Sequence, residues 1–585
     1  MVLSIFVGLN KNVDRYNMKK TFIIALAALS LASCTYVKAP SGSALFDHFT
    51  YDGTDSYYEA NPLPSDDCVY NPVLPGWYSD PSICTNGKGD YFMVTSTFSY
   101  YPGVPIFHSR DLVNWEQIGH VLDRPSQLGN LVGQLVSEGI YAPDIQYNSF
   151  NETYYMVTTD VNGDNFFVKT KDPWQGWSDP VALPEIEGID PSFFFDEDGR
   201  AYIMNNDDAP GAAPEYDGHR TIRCVEFDVE SEKCIGERKI IVNKGAVPAD
   251  KPVWIEGPHM YKVNGKYLLM CAEGGTEQNH SEVVFSGDSP MGPFTAWSGN
   301  PILTQRDLPE DRENPVTCTG HADIIQGPDG QWWAVFLGCR PINGVENLGR
   351  ETFMVPFTWS ADGFPVIIKK GETVPMIVKH EGTKRSESLA FGNFGKVDEF
   401  DSDKLGLEWM TLRGPGEENY SLTETPGFLT LRCSADKSSE LGTPSLVLRR
   451  IQHHSFEAST RMYFTPEKIS SAAGMLVFKD EKHQYFLRVN SETVSLLKVE
   501  FIVEIELGGM GAHYVQEDEV LATAPLGKHK FIDLKTVSDG AEYTFYYSVD
   551  GKEWKELISG VEAKYVSNAY TGGFTGATIG LYAVK

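Results

Sequence analysis

One unit recurs along this chain and restricts its fold more than any other property. A polar or acidic residue opens a short apolar run, a turn rich in Gly, Asp and Asn follows, and a second run heavy in Tyr, Trp and Val closes the unit. The copies are YSDPSICTNGKGDYFMVT from Tyr78, YAPDIQYNSFNETYYMVT from Tyr141, GIDPSFFFDEDGRAYIMN from Gly188, WIEGPHMY at Trp254–Tyr261 leading to YLLMCA, and GHADIIQGPDGQWWAVFLG from Gly320. Two apolar runs about a tight turn read as a β-hairpin. Aligned on their opening acids Asp80, Asp144, Asp190, Glu256 and Asp323, the units are spaced by 64, 46, 66 and 67 residues. Periods of that length filled with short strands predict a β-propeller, here five-bladed. The inner strand of each blade runs along the central axis, so acids far apart in sequence converge on one funnel.

At 585 residues the chain exceeds one ordinary core. The hairpin spacing lapses near Glu372, and from FLTLRC to the final GGFTGATIGLYAVK the apolar residues alternate as in half-buried antiparallel strands. The expected fold is therefore all-β, a propeller over 67–375, a linker over 376–396 and a β-sandwich over 397–585. From Met18, MKKTFIIALAALSLASC has two lysines, an apolar run and small residues before Cys34, the layout of a bacterial export signal. LASC is similar to a lipobox, which makes Cys34 the expected lipidation site of a periplasmic or outer-membrane lipoprotein. Residues 1–17 read as an upstream extension, 18–34 as the leader, and 35–66 as a tether. The formal charge of −31 disfavours nucleic acid and anionic membrane surfaces as partners and leaves a neutral sugar compatible; a membrane enters only through the lipid anchor. The nine cysteines show no metal-ligand spacing, although Cys224 and Cys234 could pair across a hairpin.

Glu256 stands between Trp254 and a Gly-Pro turn. Shielding by the ring would desolvate the carboxyl and keep it protonated, as a general acid requires. With NPVLPGWYSDPS, YPGVPIFHSRDLVNW, GIYAPDI, GIDPSFFFDEDG, WIEGPHMY, TGHADII and LGRETF in this order, the first domain resembles glycoside hydrolase family 43. The sandwich is similar to the concanavalin-like domain of that family's β-xylosidase branch. The resemblance makes Asp80 the general base, Glu256 the general acid and Asp190 the carboxylate that tunes and orients it. It gives Arg350 and His321 to substrate binding, with calcium at His321 as an option and no cofactor required. Trp77 and Tyr141 are expected as sugar walls, since aromatic faces pack on sugar C–H surfaces, and Asp144 as structural. Tyr141 stands where many xylosidases of the family carry Trp, and Ser99–Tyr100 where they carry Glu-Trp, which leaves xylose against arabinofuranose open.

The resemblance implies an inverting exo-glycosidase that removes terminal β-D-xylosyl or α-L-arabinofuranosyl units from hemicellulose or arabinan oligosaccharides. The alternatives are an endo-arabinanase, which needs an open groove, and a non-catalytic surface glycan-binding lipoprotein, against which the intact Asp80, Asp190 and Glu256 argue. The sequence leaves the oligomeric state undetermined.

Overall fold

The structure, a computed structural model, describes residues 37–585 apart from 130, 387, 388, 390 and 506–511. The leader at 18–34 and Cys34 lie outside the described residues. Five antiparallel sheets follow one another from residue 82 to 356, opening with the strands Ser82–Thr85, Ile140–Asn148, Ile189–Phe195, Glu256–Val263 and Thr317–Gln326. Each opening strand touches the next, and the fifth touches the first, so the ring closes as in a β-propeller. The second strand of each sheet is buried nearly end to end, as in Tyr91–Val94, Thr153–Asp160 and Lys266–Glu273. Neighbouring blades cover both of its faces, which is why these strands read as continuous apolar runs instead of alternating ones. Hairpin chemistry is visible at Asn264–Gly265, where φ of 51° and 78° turn the chain between Val263 and Lys266 in a two-residue loop.

The inner strands share a backbone device. Asp80, Ala142, Asp190, Gly257 and His321 all have φ between 35° and 54°. Four of them precede proline, at Pro81, Pro143, Pro191 and Pro258, and His321 precedes Ala322. In the last four inner strands the pairing slips at this point, as in a β-bulge. Proline suits a bulge because no ladder donor is needed there. The bulges correct the sequence alignment. Asp80 and Asp190 are equivalent, but Glu256 lies one residue ahead of its bulge, and Asp144 and Asp323 lie two residues beyond theirs.

The sandwich has an eight-stranded and a six-stranded sheet. The expected tether at 35–66 is a correction: Ser43–Gly53 is a strand inside the larger sheet, paired along its length with Ser455–Thr465 and on its other edge with Leu429–Arg432 and Gly395–Asp398. Its Ala44, Phe46, Phe49 and Tyr51 are fully buried in the sandwich core. The expected linker also starts late, because Ile377–Lys379 pairs with Cys68–Tyr70 and ties the two ends of the propeller together. Cys224 and Cys234 pair with Lys239 and Phe227, not with each other, and the cysteines among the described residues are free thiols.

Candidate active site

At one end of the propeller axis the bulges open a small pocket with a cavity volume of about 60 Å³. Asp80, Asp190, Glu256, Tyr141, His321 and Arg350 all line it, so six of the seven residues expected at the sugar site meet there. Asp80 Oδ2 accepts from Ser96 Oγ at 2.6 Å, and its Oδ1 accepts from Arg350 Nη1 at 3.2 Å, with His321 Nδ1 3.6 Å away. Asp190 Oδ2 accepts from the Gly257 N–H at 3.1 Å. That bond ties Asp190 to the residue after Glu256.

Burial pushes all three carboxyls upward, and their neighbours then separate them. At Asp80 the Arg350 guanidinium, His321 and the Ser96 hydrogen bond overcome burial and hold the carboxyl below its ordinary value. Burial, then the charge of Asp80, raises Asp190 to about 7. Glu256 is raised well above the ordinary range by burial, then by Asp190 and Asp80. Divergent protonation within one pocket assigns acid and base roles: an ionised Asp80 can take a proton from water, and a protonated Glu256 can give one. Trp254 plays a different part from the one expected. The residue is 40% exposed with its ring beneath Arg220, while Glu256 is buried.

The walls differ from expectation in one residue and exceed it in several. Trp77 is fully buried away from the pocket, 4.8 Å from the Tyr100 ring and beneath Arg450, whose Nε donates to the Trp77 carbonyl at 2.7 Å. It belongs to the apolar seam between the domains. Ser99 and Tyr100 are likewise fully buried, and Phe98 faces the pocket in their place. Phe98, Tyr141 and Phe574 form an aromatic cluster with centroids 5.5 to 6.1 Å apart, and Arg350 lies over Phe98 and Phe574. Phe574 comes from the sandwich. Its N–H donates to Ser137 Oγ at 3.1 Å, and the Ser137 carbonyl accepts from Tyr141 Oη at 2.6 Å.

Nothing local in GGFTGA announces the role of Phe574, and Thr276 and His280 also line the pocket without a sequence signal. Burial lowers His280 to about 4, so its ring is neutral. With Nδ1 bonded to the Cys318 carbonyl at 2.9 Å, its Nε2 has no partner among the described residues. The same holds for Arg350 Nε, and both atoms are buried beside the pocket.

One layer deeper, Asp144 and Asp323 fasten the blades. Ser82 Oγ donates to both, at 3.2 and 3.0 Å, while Phe193 N–H donates to Asp144 and Tyr261 Oη to Asp323. With His259 they form a buried trio whose ligand atoms lie within 4.8 Å of one another and could hold a metal ion. His321 stands outside this trio. One imidazole and two carboxylates suit a nitrogen-tolerant metal better than calcium, which takes six to eight oxygens.

An ionised carboxylate and a protonated carboxyl in one pocket are the two groups that glycoside hydrolysis uses, and comparison with known proteins places the chain among the glycoside hydrolases. The chain belongs to glycosyl hydrolases family 43. Residues 69–365 match that family's model, and residues 397–585 match the β-xylosidase C-terminal concanavalin A-like domain. A xylosidase/arabinosidase of Butyrivibrio fibrisolvens is 37% identical, covering 88% of this chain and 95% of the relative. The non-reducing end α-L-arabinofuranosidase BoGH43B of Bacteroides ovatus is 34% identical over 88% of this chain and 90% of its own. The crystal structure of a GH43_12 protein from a capybara gut metagenome superposes with a TM-score of 0.84 at 40% identity, covering 93% of this chain and all of the other.

Proposed function

We propose that the protein is an inverting exo-glycosidase that releases terminal α-L-arabinofuranosyl or β-D-xylosyl residues from plant oligosaccharides. The observation that carries this reading is the pairing of a depressed Asp80 with an elevated Glu256 in a pocket that Phe574 helps to close. In the reaction, Asp80 takes a proton from water as that water attacks the anomeric carbon. The bond to the leaving oxygen breaks, and Glu256 gives that oxygen its proton. Asp190 holds the Gly257 backbone beside the acid and keeps the proton on Glu256 until departure. No step calls on a cofactor. A small pocket walled on one side by Phe574 suits a chain end, which favours exo over endo cleavage, and the relatives' names supply the two sugars.

The test is the initial rate on aryl α-L-arabinofuranoside and aryl β-D-xyloside, with proton NMR of the first product. Expected are cleavage of at least one substrate, a first-formed sugar of inverted anomeric configuration, and a loss on the order of 10²–10⁴-fold in Glu256→Ala on an oligosaccharide. A retained configuration overturns the inverting reading. Sugar binding without turnover overturns the enzyme reading.

A further inference from the structure

Packing does not explain the residue two places ahead of the general acid. Trp254 has φ of 52°, a strained conformation for a bulky side chain, yet the residue is left 40% exposed. A chain of contacts holds it there. The Trp254 N–H donates to the Gly218 carbonyl at 2.8 Å, and the Arg220 guanidinium lies 5.0 Å from the ring centroid. Arg220 is itself fixed: Nε and Nη2 donate to Asn206 Oδ1 at 3.0 and 2.7 Å, and Nη1 pairs with Asp208. Asn206 Nδ2 closes the circuit by donating at 2.6 Å to the carbonyl of Ile255, the residue between Trp254 and Glu256. Backbone strain, a braced ring and solvent exposure together describe a surface prepared for a ligand.

Reaction geometry says which part of the ligand. The pocket holds the sugar that is cleaved off, and Trp254 is not part of its lining. A general acid must touch the oxygen that joins this sugar to the rest of the chain, so the departing chain leaves past Glu256. The Trp254 Cα lies within about 7 Å of the Glu256 Cα, the reach of two residues.

We infer that Trp254, braced by Arg220, is the platform for the leaving-group sugar, the neutral sugar residue on the departing side of the scissile bond. The aromatic face takes the C–H surface of that sugar, and the exposed Asp208 carboxylate beside Arg220 offers an acceptor for its hydroxyls. This inference rests on the exo-glycosidase reading above.

The experiment compares wild type, Trp254→Ala and Trp254→Phe on two substrates of the preferred sugar: an oligosaccharide, and the glycosyl fluoride, whose leaving group is one atom and cannot reach the platform. In Trp254→Ala the ratio of kcat/KM on oligosaccharide to that on fluoride is expected to fall about tenfold, mostly through KM, as loss of one aromatic contact implies. Trp254→Phe is expected to restore most of the ratio. An unchanged ratio overturns the inference, as does an equal loss on both substrates, which would mark a structural role. Wild type inert on both substrates would instead overturn the exo-glycosidase reading itself.

Discussion

Each of the three pocket carboxyls gets its protonation state from specific neighbours, and that makes its pH behaviour testable. Asp190 raises Glu256 through its charge. Replacing it in Asp190→Asn removes that charge, lowers the Glu256 pKa and moves the basic limb of the kcat/KM profile to lower pH. Arg350 and His321 hold Asp80 down, so the acidic limb should stay in place in Asp190→Asn and rise in Arg350→Ala. Profiles of the two variants check both signs; a basic limb that stays fixed in Asp190→Asn would mean that burial and Asp80 set the acid without Asp190. The three carboxyls were singled out in the sequence by the hairpin repeat and the resemblance to family 43, since an Asp before Pro or a Glu before Gly-Pro at a strand end is by itself ordinary. Their register was not: a bulge adds one residue to a strand, and an apolar pattern of period two does not record which residue takes φ near 54°. Trp77 shows the same limit, since an aromatic beside the motif reads identically whether it faces sugar or the domain seam.

Among the elements, Ser43–Gly53 departs furthest from expectation. Its surroundings, rich in Ser, Asp, Tyr and Pro, read as a tether, yet SALFDHFTYDG places Ala44, Phe46, Phe49 and Tyr51 in the sandwich core, with a register slip between Phe46 and Phe49. The slip breaks the alternation that would have marked the strand. Because both rings are fully buried, Phe46→Ala or Phe49→Ala should each cost about 3–5 kcal/mol of sandwich stability, read by urea unfolding. A change below about 1 kcal/mol would mean that the N-terminal segment only decorates the sheet. The Phe574 loop is pinned by a backbone approach as well. A Cβ at Gly349, whose φ is 68°, would lie 2.6 Å from the Gly576 nitrogen, so the segment carrying Arg350 and the loop carrying Phe574 meet with no room for a side chain.

At the scale of the molecule, the two domains are one machine. The sandwich supplies Phe574 to the pocket and receives its inner strand Ser43–Gly53 from a segment that precedes the propeller in sequence. Trp77, Phe98 and Tyr100 of the propeller pack in one cluster with Met410, Leu412, Leu446 and Leu448 of the second domain. A protein reduced to residues 54–396 would therefore expose this seam and lose one pocket wall. It is expected to be aggregation-prone, and at least tenfold weaker in kcat/KM when soluble; full activity from the propeller alone would show that the sandwich is dispensable. The sequence by itself determined the all-β propeller and sandwich, because hairpin periodicity is a local property, while the candidate acids came from the repeat together with the resemblance to family 43. Tertiary structure alone decided the bulge register, the second layer of Ser82, Asp144, His259 and Asp323, the destination of the N-terminal strand and the reach of Phe574 into the pocket. Each of these depends on contacts between residues far apart in the chain, and local pattern carries no record of which distant surface will cover a given side chain.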